Sequence, residues 1–472
     1  DHELQATKVF FDHYEIERPS IPLLTPEFQN PLFLRLFCEG LDASGLTRIP
    51  DGLQGITQIF SFFIDQINEK LARPEQVGYN PKINNVRKAI ERFARAVAQS
   101  DDDWIPVTEA VDLINDIKGG DEYEYSLYRQ MLSEGVIAED RFPVGFDEAG
   151  EFDYVEGTRF SYERFSDHVI AEHLLNEHLN PEEVSDSFEP GTPLGNLLRD
   201  PDWGDAGVIN ALAIQVPERT GRELGGLVTE EVDSKLYREA LVESILWRRT
   251  DSFSEETKQL INEHALKYEG TYDRFHNILL MVAADPQHPY NAEFLHRNLA
   301  RRSLAERDRL WSIFLFDEYD YYPESSAVGR LMDWAWNVDD TAHLDAESVR
   351  LAATALTWYL TTSHRPLRDR TTKALVNLLE DRPSVVAALL DAFHDVDDPY
   401  VIERLYAVAY GCAMRTHNRG RVEVLADKAY ELVFEDDEPP VNILTRDYAR
   451  EIIERRISLD SSASYDLEKV RP

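Results

Sequence analysis

The chain has 472 residues, enough for two to four domains that each bury a core of their own. With 43% hydrophobic and 29% charged residues it has the composition of a folded protein. No run approaches roughly 18 consecutive apolar residues, which excludes a membrane-spanning helix. Asp and Glu outnumber Lys and Arg 88 to 49, for a net charge of −39, and this argues against sequence-independent binding to nucleic acid. A polyanion must exchange its condensed counterions for Lys and Arg.

In chain order, the N-terminus (Asp1-His2-Glu3-Leu4-Gln5) lacks the basic and apolar regions of a signal peptide, and it lacks Met, so a piece of a longer chain is expected. Helices are predicted over Leu4–Tyr14, Leu32–Glu39 and Ile56–Leu71, with breaks at Pro19, Pro22 and Pro26. Val86–Ala98 repeats its apolar residues every three to four positions. Trp104-Ile105-Pro106-Val107 follows, and then Thr108 as N-cap of the next helix. A helix over Tyr123–Ser133 ends at Gly135, suited to a left-handed cap. Val136–Ala138 and Thr158–Tyr162 read as short strands, with Pro143–Gly157 turn-like between them, and a helix runs over Glu163–Asn180. Three helices and a hairpin are the pattern of a winged helix. Pro181–Pro193 is the linker candidate, and beyond it the chain is nearly all helix. Breaks at Pro366, Pro383 and Asp398-Pro399 separate Val349–Leu360, Thr372–Leu379, Val385–Phe393 and Val401–Tyr410. Short amphipathic helices with tight turns predict an α-solenoid of HEAT or armadillo type, with a compact bundle as the alternative. The segments at Pro366 and Pro399 lie 33 residues apart, although their sequences match poorly.

Motifs that carry chemistry are mostly absent from the sequence. No Gly-x-x-x-x-Gly-Lys-[Ser/Thr] and no Gly-x-Ser-x-Gly occurs. The two cysteines, Cys38 and Cys412, form neither a disulfide framework nor a metal site, and suit a reducing cytosol. His168, His173 and His178 stand five apart, so successive rings turn by about 140° around a helix, and polar contacts on the helix surface are expected in place of a metal. Pro201-Asp202 with Asp233-Ser234-Lys235 matches the letters of a metal-dependent nuclease, but the second element lies in a helical stretch instead of a strand. The aromatic cluster Phe314, Phe316, Tyr319, Tyr321, Tyr322, Trp334 and Trp336 suits core packing or a protein-binding surface.

Two segments carry a resemblance. Phe28-Gln29-Asn30-Pro31-Leu32-Phe33-Leu34-Arg35-Leu36-Phe37-Cys38 resembles the "NPLFL.LLC" element of NACHT-type STAND ATPases, and Arg159–His168 resembles the end of that family's winged helix. The wording of both, with Asp285–His296 and Asp398–Arg404, is most similar to the AVAST antiviral STAND ATPases. The resemblance implies that Pro31 packs on adenine. It also implies that the family's phosphate-sensing His is replaced by Arg164, with His168, one turn on, as the rival. A guanidinium keeps the cation and binds phosphate in a fork.

The implied protein is mostly α. Residues 1–80 form a helical domain after an NTPase core, 81–180 a winged helix and 181–472 a helical-repeat sensor. ATP or ADP with Mg would be held mainly by that core, so this chain alone is expected not to hydrolyse ATP. Its partners would be a viral or other trigger protein and, on activation, further copies of itself in a cytoplasmic oligomer. The alternatives are a HEAT-like scaffold or a winged-helix regulator without nucleotide contact. The recognition helix, Tyr123–Ser133, offers a DNA-binding regulator only Arg129 as a cation.

Overall fold

The computed structural model describes residues 1–472 apart from 1, 20–21, 25, 44, 50–54, 101, 119–122, 147–151, 202–203, 228–233, 267–268, 339–340, 342, 437–438 and 472. It is mostly helical with one small sheet, and no helix among the described residues is long and apolar enough to cross a membrane. The chain divides into two compact units. One comprises Val9–Glu17 and Asn30–Phe275, the other Asp1–Lys8, Arg18–Gln29 and His276–Pro472.

α1 (His2–His13) is divided between the units, and the first unit continues with α2 (Pro31–Ala43) and α3 (Ile56–Leu71). Phe33, Leu34, Phe37, Cys38 and Leu41 of α2 are buried, as are Phe60, Ile64, Ile67 and Leu71 of α3, each set at helical spacing. Next come α4 (Asn85–Ala98), β1 (Trp104–Pro106), α5 (Val107–Asn115), α6 (Leu127–Ser133), β2 (Ile137–Phe146) and β3 (Phe152–Phe160). The sheet order β1-β3-β2, antiparallel throughout, is that of a winged helix.

Three expectations change here. Thr108 is not the N-cap of α5; Pro106 holds that position without a side-chain cap, because the helix starts directly from the strand. Tyr123–Ser133 is not one helix, since Ser126 caps α6 by accepting from the Arg129 N–H at 3.3 Å. The strands also run far longer than Val136–Ala138 and Thr158–Tyr162. Most of Pro143–Gly157 is paired strand, with Pro143 opposite Tyr154 on the edge strand and a bulge between Pro143 and Gly145. Gly157 sits where Trp104 and Phe142 stack at 4.5 Å, and a Cβ there would lie 2.3 Å from the indole. Gly135 closes α6 at φ +71°, as its position predicts.

The unit continues through α7 (Glu163–His178), α8 (Pro193–Arg199), α9 (Asp205–Thr220), α10 (Leu224–Leu227), α11 (Ser234–Trp247) and α12 (Glu255–His264). Pro181–Pro193 is not a loose linker. Phe188 is fully buried with Ala171, Leu175, Leu194, Leu198 and Leu212, and the Thr192 hydroxyl donates to the Ser187 carbonyl at 2.8 Å. Packing therefore runs across residue 180, and the division of the chain falls inside α13 (Tyr272–Met281).

The second unit holds α14 (Ala292–Ala300), α15 (Leu304–Arg307), a π turn at Asp308–Ser312, α16 (Ile313–Tyr321), α17 (Ala327–Asn337), α18 (Ala346–Tyr359), α19 (Arg365–Leu379), α20 (Pro383–Phe393), α21 (Pro399–Arg415), α22 (Arg419–Val433), α23 (Ile443–Leu459) and α24 (Leu467–Val470). Its helices stack in two layers, α17-α19-α21-α23 in one and α14-α18-α20-α22 in the other, with chain neighbours joining the layers. This is solenoid-like packing of helix hairpins. Pro366, Pro383 and Pro399 each stand in the first turn of a helix, where a missing N–H costs nothing. Pro366 and Pro399 open successive helices of the same layer, so their spacing of 33 is one structural repeat.

Candidate functional site

The two segments that carry the family resemblance meet. At the head of α2, the Asn30 side chain accepts the Phe33 N–H at 3.4 Å, and Pro31 follows as the first helical residue, exposed. The Phe33 ring lies 6.3 Å from Tyr162, at the junction of β3 and α7. Phe165, one turn into α7, packs edge-on against Phe60 at 5.2 Å and Phe63 at 5.8 Å. Together with Phe37, Ile59, Phe62 and Val136 these rings line a cavity of about 40 Å³. Ligand pockets measure about 300–1,000 Å³, so this space takes the end of a side chain and not a nucleotide base. The buried Cys38 thiol close by has its pKa pushed up to about 12 by burial first and Glu39 second, so it is inert as a nucleophile.

Arg164 is half-buried on the first turn of α7. Its guanidinium lies 3.5 Å from the Glu243 carboxylate and 4.9 Å over the Trp247 ring, both on α11. A phosphate at this guanidinium would share it with Glu243. His168 does not lie on the helix surface as expected. It is 4% exposed, with its ring 5.3 Å from Phe60. The Gln215 amide donates to the His168 carbonyl at 2.8 Å and sits 3.3 Å from Nδ1. Burial, aided by the charge of Arg164, lowers the imidazole pKa to about 3. A neutral, enclosed ring cannot act as a phosphate-sensing cation, which removes His168 from that role.

Asp167, between them, is a group that sequence reasoning missed. Burial first, and Glu163 second, raise its pKa to about 7 against the opposing pull of Arg164. Its carboxylate lies where a Cβ on Gly207, in the first turn of α9, would stand 2.1 Å away, so only glycine admits it. No local signal marks it, because α9 arrives from some forty residues downstream.

The remaining histidines of α7 point elsewhere. His173 lies 3.2 Å from Glu177, which also pairs with Arg95 at 3.0 Å. Among the described residues no group of three or more His, Cys, Asp or Glu could hold a metal ion. Of the nuclease-like pattern, residues 202 and 233 lie outside the described residues, and Lys235 stands on a helix, 3.9 Å from Glu239.

In the other unit the aromatic cluster splits in two. Phe314 and Trp334 are core, whereas Phe316, Tyr321, Tyr322 and Trp336 are exposed. His364, the N-cap of α19, stacks edge-on with Phe316 at 5.2 Å and Tyr319 at 5.4 Å, and Arg370 of α19 stands 5.7 Å over Trp336. The chain matches no protein-family model and no curated protein sequence.

Proposed function

We propose that this chain is the regulatory and sensor portion of a NACHT-type STAND ATPase in antiviral defence, acting in the cytoplasm. In this reading the helix pair α2–α3 and the winged helix hold a nucleotide switch closed. The helical array binds a viral or other trigger protein, and that binding licenses ATP-dependent oligomerisation. The observation that carries the reading is the junction of Phe33 with Tyr162, which joins the two family-like segments although they stand about 130 residues apart. ATP or ADP with Mg would be held by a core that also supplies the phosphate loop. Of this chain's residues, Pro31 offers exposed apolar surface and Arg164 a permanent charge, while His168 does not fit.

The gene tests the class directly. An in-frame Gly-x-x-x-x-Gly-Lys-[Ser/Thr] upstream of Asp1 is expected, and a complete open reading frame without one overturns the proposal. In the intact protein, Arg164→Ala should change the nucleotide dependence of oligomerisation, read by size-exclusion chromatography with ATP and with ADP. Unchanged dependence would favour the nucleotide-free scaffold instead. A DNA-binding regulator has less support, because the exposed Arg129 is the one cation on α6 and Tyr128 of the same helix is buried against Glu139 and Thr158.

A further inference from the structure

Aromatic side chains stand open to solvent on α16, just after it and on α17. Phe316, Tyr321, Tyr322 and Trp336 are 39%, 67%, 59% and 39% exposed. The face is held from beneath. The π turn before α16 buries Trp311, whose Nε1 donates to the Trp358 carbonyl at 3.0 Å. Ser312 donates to the Thr361 carbonyl at 3.4 Å. A π turn shifts the phase of the helix that follows it, and here Phe314 and Leu315 face inward while Ile313 and Phe316 face out. Asp317, Asp320 and Glu324 are exposed among the rings.

One of these rings, Trp336, already carries a cation. Arg370 pairs with Asp333 at 2.7 Å, lies over Trp336 and donates to the Tyr319 hydroxyl at 3.5 Å. His364 lies 3.8 Å from Asp320. Carboxylates beside π faces bind guanidinium and ammonium groups by charge and by ring quadrupole together. A second copy of this acidic chain, an anionic membrane or a nucleic acid would bring like charge to the same face.

We propose that the C-terminal end of α16 docks a basic segment of a partner protein, with Arg or Lys side chains seated on Tyr321 and Tyr322, whose rings lie 6.5 Å apart, between Asp317, Asp320 and Glu324. The proposal rests on the reading of the helical array as the partner-binding part, and it names where and by what chemistry that binding occurs.

The test uses the whole chain and a short fluorescein-labelled peptide of alternating arginine and leucine, titrated by anisotropy at near-physiological salt. The double variant Tyr321→Ala/Tyr322→Ala, which leaves the net charge untouched, should weaken binding about tenfold. The control Asp427→Asn/Glu431→Gln removes two charges from an acidic groove formed by α22 and residues 464–466, and should leave affinity within about twofold. Equal loss in both variants, or none in the tyrosine variant, overturns the proposal in favour of general attraction to an acidic protein. A trigger protein that binds the tyrosine variant undiminished overturns this location while leaving the sensor reading standing. Loss of all trigger binding by the unmodified chain is the result that counts against the sensor reading itself.

Discussion

At the start of α7, Asp167 keeps its proton up to about pH 7 while His168, next to it, stays neutral down to about pH 3. The two act on stability with opposite signs. Asp167 has a folded pKa raised above its ordinary 3.8, so its contribution is full below 3.8 and is lost as pH rises through about 7. His168 has a folded pKa below its ordinary 6.5, so its contribution is present above 6.5 and is lost as pH falls towards 3. Between 3.8 and 6.5 the slopes oppose each other. Measured as urea midpoints relative to the unmodified chain, Asp167→Asn should therefore gain stability as pH rises from 3.8 to about 7. His168→Gln should gain it as pH falls from 6.5 to about 3. Identical profiles for the two variants would show that neither group titrates as assigned. A second residue-scale prediction concerns Glu223 and Arg248, each 2% exposed and joined by two hydrogen bonds of 2.7 and 2.6 Å. Arg248→Met leaves a buried carboxylate without its partner and should cost about 3–5 kcal/mol in urea unfolding. A loss under about 1 kcal/mol would mean that water reaches the site.

Among the elements, those with strong 3.6-residue periodicity are legible in the sequence. α3 begins and ends where the apolar pattern of Ile56–Leu71 says, and the prolines of the last third mark helix starts. The hairpin is less legible because β2 and β3 project beyond the core. Phe152, Asp153 and Tyr154 are exposed, so no buried face imposes alternation, and Gly, Asp and Glu read as turn residues. Arg164 and Pro31 could be singled out from sequence, but their surroundings could not. The Glu243–Trp247 seat of Arg164 and the Gln215 contact of His168 both come from distant helices. The segment Pro181–Pro193 fails as a linker for a related reason. Its polar composition hides one residue, Phe188, that fastens it down. Phe188→Ala should cost about 3–5 kcal/mol and open the segment to protease, read by limited proteolysis with mass spectrometry. Ready cleavage of the unmodified chain between 181 and 193 would contradict the packing.

For the molecule as a whole, 88 acidic against 49 basic side chains leave a surface that repels itself. Many cations are already committed to local pairs, such as Arg350 with Glu293 and Glu347, and Lys428 with Asp391 and Glu431. Surface pairs of this kind contribute little and weaken with salt, whereas the unbalanced remainder loses its repulsion. Screening of the repulsion should win, so Tm should rise when potassium chloride is increased from dilute to molar, as followed by circular dichroism. A falling Tm would mean that the pairs outweigh the net charge. One further consequence follows from the Arg18–Gln29 strip, which belongs to the same unit as His276–Pro472 and whose Leu24 carbonyl accepts from Arg330, 306 residues later. On the ribosome this strip emerges 306 residues ahead of the arginine from which its Leu24 carbonyl accepts. At about 5–20 residues per second it must wait roughly 15–60 s, with Leu24 and Phe28 bare, before it can be buried. Synthesis is therefore the stage at which this chain most needs a chaperone, and slowing translation before residue 330 should increase aggregation of the nascent protein.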